Sequence, residues 1–101
     1  MKLYHVTPAQ NVKSILATGL LPQIGNYARQ MGETTASIWL FSDIDDCLEM
    51  TEAWLIPVYG DDLTILEVTL PDDFPLEYTG SDYEVFVVKP ISADHIKVYQ
   101  S

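Results

Sequence analysis

The sequence predicts an α+β domain in which two helices pack on a small mixed or antiparallel sheet. Three observations predict it. Element signals run strand, helix, long polar segment, strand, helix and then mostly strands, which lacks the regular strand-helix alternation of a doubly wound parallel sheet. Hydrophobic residues make up 48% and charged residues 20% of 101 residues, the balance of an ordinary globular chain that can bury a core. No internal repeat, linker or low-complexity tract divides the chain, so 1–101 reads as a single domain.

Lys2 to Val6 reads as a short strand, and alternation puts Leu3 and His5 on one face and Tyr4 and Val6 on the other. A helix from Pro8 to Thr18 is predicted next, with Thr7 as its cap, Pro8 at its first position and Gln10 completing a capping box. Val12, Ile15 and Leu16 share its apolar face, and Gly19 supplies the stop. The segment from Gln23 to Ala36 is polar, contains Gly25 and Gly32, and has neither helical nor strand periodicity, which predicts a long loop.

Ser37 to Phe41 resumes strand character. Ser42 is the expected cap of a second helix from Asp43 to Leu55, with Asp45 as its capping-box partner and Pro57 beyond its end. Ile44, Cys47, Leu48 and Trp54 recur there at helical spacing, with Asp45, Asp46, Glu49 and Glu52 mainly elsewhere. Leu63 to Leu70 is a strand with Leu66, Val68 and Leu70 facing one way, and Tyr83 to Val88 is a second, strongly apolar strand after an acidic turn. Ser92, Ala93 and Asp94 form a tight turn before an edge strand of Ile96, Val98 and Tyr99.

Fifteen acidic against five basic residues give a formal charge of −10, a field that repels phosphate backbones and disfavours nucleic acid as a partner. Cys47 is the only cysteine, which excludes an intramolecular disulfide and a multi-cysteine metal site, and a cytoplasmic setting is expected. His5 and His95 are the only imidazoles, 90 positions apart, so no metal dependence is expected. No secretion signal, membrane anchor or membrane partner is expected either. Phosphate-binding glycine loops, zinc helices and nucleophile elbows are all missing.

What remains is a set of separated pieces. Leu3-Tyr4-His5-Val6-Thr7, followed by Asn11, Ile15, Leu16 and Gly19-Leu20, resembles the opening of ADP-ribosyltransferase-like domains, nearest in pattern to the DNA-targeting toxins of that class. More distantly it is similar to poly-ADP-ribose polymerases and tRNA 2′-phosphotransferases. Ile38-Trp39-Leu40-Phe41-Ser42 resembles the family's middle strand, which supplies an aromatic or hydroxyl group beside nicotinamide. Tyr83-Glu84-Val85-Phe86-Val87-Val88, with Pro90-Ile91 and His95-Ile96, resembles the strand that carries the family's glutamate and the turn after it.

The resemblance implies a minimal, NAD-dependent enzyme of the ADP-ribosyltransferase-like fold. Glu84 matches the catalytic glutamate, whose carboxylate would stabilise oxocarbenium character on the ribose as the nicotinamide bond breaks. Tyr4, His5, Val6 and Thr7 would line the dinucleotide, with a neutral His5 hydrogen-bonding a ribose. Trp39, Phe41 or Tyr27 could stack on nicotinamide, Ser42 would lie beside it, and Arg29, the only arginine, could clamp the diphosphate. NAD is then expected in a cleft between the Tyr4-His5 and Tyr83-Glu84 strands, with His5 and Glu84 meeting across it and the Gln23 to Ala36 loop as its cover.

Five basic residues are too few for tRNA 2′-phosphate transfer, and the same electrostatics disfavour DNA as acceptor. That leaves ADP-ribosylation of a protein or small molecule, NAD hydrolysis, or a scaffold of this kind that has lost its activity. The competing expectation is a noncatalytic acidic interaction module of immunity, antitoxin or anti-restriction type, a nucleic-acid mimic. Asp43, Asp45, Asp46, Glu49 and Glu52 on one helix, and Asp61, Asp62, Asp72 and Asp73 in two turns, are its signature.

Overall fold

The computed structural model describes residues 1–22, 36–80 and 82–100, with Tyr59 described by its backbone alone. Among the described residues six strands form one antiparallel sheet in the order β4-β5-β2-β1-β3-β6, with two helical segments packed on it. The strands are β1 (Lys2–Pro8), β2 (Ile38–Phe41), β3 (Leu63–Thr69), β4 (Glu77–Tyr78), β5 (Glu84–Val87) and β6 (Ile96–Val98). This is the α+β class that the order of elements predicts. Among the described residues no helix is long and apolar enough to cross a membrane.

β1 runs two residues further than expected because its ladder with β3 continues through Thr7↔Thr64 and Pro8↔Leu63. Strand pairing therefore takes the two residues that would have capped and opened the first helix. A 3-10 turn at Ala9–Asn11 follows, and α1 (Val12–Thr18) begins only at Val12, with no side-chain cap. Gly19 does end it, at φ 87°, in the space against the Ile91 carbonyl.

Asp43, rather than Ser42, caps the second helix: its carboxylate accepts from the Asp45 amide at 2.7 Å and the Asp46 amide at 3.4 Å. The helix runs as α2 (Ile44–Met50), a π-helical turn (Thr51–Leu55) and α3 (Ile56–Tyr59). Pro57 does not stop it. The Ile56 amide reaches five residues back to Thr51, which widens the helix upstream and leaves Pro57 in the first turn of α3, where its missing N–H costs no bond.

The two faces of the sheet carry separate apolar layers. On one, Leu3, Leu40, Leu66, Val68, Val87 and neighbours are buried with Val12 and Ile15 of α1 packed on them. On the other, Tyr4 and Phe41 of the sheet are buried against Cys47 of α2, with Ile44, Met50 and Leu55 around them. A transverse row crosses this second face. Lys97↔Glu67, Glu67↔Tyr4, Tyr4↔Phe41 and Phe41↔Glu84 are successive cross-strand partners from β6 to β5. Glu67 is tolerated in the row, at 8% exposure, because Lys97 and Lys2 bring their ammonium groups to 3.1 and 3.7 Å from it.

Candidate functional site

The three strands singled out by their residues are neighbours in space. β1 (Tyr4, His5), β2 (Trp39, Phe41) and β5 (Glu84) stand side by side at the middle of the sheet, although 79 residues separate His5 from Glu84. The expected cleft between the first and last of these strands is filled by β2 itself. Strand alternation also corrects the expected meeting of His5 and Glu84. His5 lies opposite Leu66 on the α1 face, whereas Glu84 lies opposite Phe41 on the α2 face, two strands away. Imidazole and carboxylate do not face each other.

What does converge is aromatic and acidic. Trp39 and Phe86 are cross-strand partners, with ring centroids 4.9 Å apart and planes tilted by 41°. Phe86 is two residues beyond Glu84 on β5, so both project from the same face. Trp39, Phe86 and Glu84 are each half-buried, and neither ring belongs to the apolar layer under α1 or α2. Glu77, opposite Phe86 on β4, adds a second carboxylate to that edge. Burial raises the Glu84 carboxyl above its ordinary pKa.

Phe41 is only 7% exposed and stacks on Tyr83 at 6.3 Å, which removes it from the expected role as a ring stacked on a ligand. Tyr4 is buried beneath α2 with its ring edge-on to Tyr99. Burial first, and then the Glu67 charge, raise its phenol pKa. Val6 is half-buried at the border of the same layer. Thr7 alternates to the other face and is buried.

Ser42 lies just past β2 and fastens the chain before Glu84: its amide donates to the Tyr83 carbonyl at 3.0 Å, and its hydroxyl to the Asp82 carbonyl at 3.3 Å. Tyr27 and Arg29, and all of the expected Gln23 to Ala36 loop except Ala36, lie outside the described residues. The His5 Nδ1–H donates to the Trp39 carbonyl at 2.9 Å, which fixes the tautomer because a carbonyl can only accept. Burial lowers the imidazole below its ordinary pKa, and the bond to Trp39 only partly offsets this.

Sequence reasoning missed Phe86 and Glu77. The alternation that places Glu84 also places Phe86, two residues on, but β4 is a two-residue strand in a stretch that reads as a turn. Among the described residues no group of His, Cys, Asp and Glu is arranged to hold a metal ion. A hollow of about 280 Å³ at the β6 side, lined by Thr69, Asp94, His95, Ile96 and Lys97, contains none of the site residues. No family model, curated protein or solved structure matches the chain.

Proposed function

We propose that the chain is a small ADP-ribosyltransferase-like protein that binds NAD and transfers ADP-ribose to a protein or small-molecule acceptor, or hydrolyses the dinucleotide. The observation that carries this reading is the half-buried Trp39–Phe86 pair beside the half-buried Glu84 carboxyl on one sheet face. The nicotinamide of NAD is a flat cationic ring. An aromatic pair offers it stacking and attraction to the ring faces, and a nearby carboxylate matches its charge.

As the bond from nicotinamide to ribose lengthens, positive charge moves onto the sugar. A carboxylate in a partly desolvated position stabilises that charge more strongly than one in bulk water. Glu84 is assigned this role. Phe86 joins Trp39 as the stacking residue in place of Phe41, Ser42 holds the backbone ahead of Glu84, and Arg29 and Tyr27 keep the diphosphate and stacking roles that the resemblance implies.

Thermal unfolding with increasing NAD tests the reading. A ligand present at 100 times its dissociation constant stabilises the native state by about 2.7 kcal/mol, a readily measured rise in melting temperature. A melting temperature that stays constant up to millimolar NAD removes the proposal.

One observation favours the second reading, a noncatalytic module for a basic partner. Among the described residues Asp45, Asp46, Glu49 and Glu52 have no cationic partner, while Leu48 on the same helix is exposed. Binding to a basic protein that collapses with added salt, without any NAD shift, would select it.

A further inference from the structure

We infer that His5 is a positioning residue, whose imidazole holds the Trp39 backbone and so sets the Trp39–Phe86 pair, instead of touching a ligand itself. The ladders around β1 carry this. β1 pairs with β3 at seven consecutive positions but with β2 only at Tyr4↔Phe41. Along the antiparallel register the next partners would be His5 with Leu40 and Val6 with Trp39. No pairing forms there, and the His5 Nδ1–H takes the Trp39 carbonyl instead, at 2.9 Å. A side chain thus replaces a main-chain bond where the two strands part.

The consequence follows from alternation. The imidazole belongs to the α1 face and the Trp39 ring to the opposite face, so His5 grips the main chain of Trp39 without approaching its indole. On the far side Trp39 packs on Phe86 across β5. The backbone position that His5 fixes therefore determines where the indole meets Phe86. The grip on Trp39 stands independently of any ligand; its effect on NAD affinity rests on the reading proposed above.

Trp39 and Trp54 are the only tryptophans, so Trp54→Phe leaves Trp39 as the sole fluorophore. In that background His5→Phe keeps an apolar ring but removes the donor, and His5→Asn returns an amide N–H near the Nδ1 position. Emission and acrylamide quenching report on Trp39, and calorimetric titration reports on NAD. The expected result is that His5→Phe folds, increases quenching of Trp39 and weakens NAD binding about tenfold, with both effects reversed in His5→Asn.

Quenching in His5→Phe equal to that of the parent overturns the inference. So does His5→Asn with restored quenching but NAD binding as weak as in His5→Phe, because the imidazole would then be touching the ligand. Should His5→Phe fail to fold, His5→Asn decides alone: parental quenching supports the grip and increased quenching overturns it. If the parent protein binds no NAD, the functional reading fails while the quenching comparison still decides the role of His5.

Discussion

Trp39 and Phe86 meet across β2 and β5 at a centroid separation of 4.9 Å, on the face of the sheet that also carries Glu84. If this pair is the platform for nicotinamide, each ring contributes about 1 kcal/mol of stacking beyond its buried area. Trp39→Ala and Phe86→Ala should therefore each weaken NAD binding by about tenfold, with Trp39→Phe much closer to wild type. Isothermal titration measures this, and affinities that do not change in the alanine variants contradict the assignment.

Glu84 and His5 should leave opposite signatures in the pH dependence of stability. Burial raises the Glu84 pKa from its ordinary 4.5, so the native state holds that proton longer than the unfolded chain. The Glu84 contribution to stability is then lost as pH rises from about 4.5 through the raised value, and Glu84→Gln should lack that loss and gain on wild type as pH rises across this range. His5 is lowered from 6.5, so its contribution is present above that value and is lost as pH falls toward the lowered one. Urea unfolding across this range checks both: a Glu84→Gln profile parallel to wild type would show that the carboxyl is not desolvated.

Gly19 joins α1 to a two-way bridge in which the Leu20 amide donates to the Ile91 carbonyl and the Ile91 amide to the Leu20 carbonyl, both at 2.9 Å. An added Cβ would stand 2.3 Å from the Ile91 carbonyl oxygen, at a φ of +87° that side chains rarely adopt. Gly19→Ala should cost at least about 2 kcal/mol and lower the melting temperature by roughly 10 °C. A loss within about 0.5 kcal/mol would mean that this junction yields easily.

Cys47 is fully buried on the face of α2 that packs on the Tyr4–Phe41 row, and burial pushes its thiol pKa up to about 11. At about pH 8 the native protein should therefore leave a thiol-specific disulfide reagent unreacted, with one equivalent reacting on unfolding in urea. Rapid native reaction would contradict the packing of α2 on this face.

The legible part of the fold was the part set by local pattern. Leu66, Val68 and Leu70 alternate, and they are buried together on one face; Gly19 sits where a helix must stop; Ser92 accepts from the Asp94 amide in the turn before β6. Signals that depended on partners were harder to read. Thr7 and Pro8 have the chemistry of a helix start, but β3 supplies partners for both. Pro57 has the chemistry of a helix stop, but a π-helical turn accommodates it.

The same division runs through the site. β1, β2 and β5, which carry Tyr4 and His5, Trp39 and Phe41, and Glu84, are adjacent strands. Which side chains share a face depends on register, and register is not a local property. Tyr4↔Phe41 and Phe41↔Glu84 put Glu84 in one row with two aromatics and leave His5 on the other face. Phe86 was within reach of the strand pattern of β5. The loss of pairing between β1 and β2, which gives His5 the Trp39 carbonyl, leaves no mark in the sequence.

Nicotinamide release from NAD by the purified protein, compared with Glu84→Gln under the same conditions, decides whether this sheet face carries out the chemistry. Wild type should release nicotinamide measurably and Glu84→Gln about a hundredfold or more slowly, because one preorganised charge is lost from the transition state, with a much smaller loss of NAD affinity from the lost attraction to the cationic ring. No release by wild type, or equal release by Glu84→Gln, would contradict this reading.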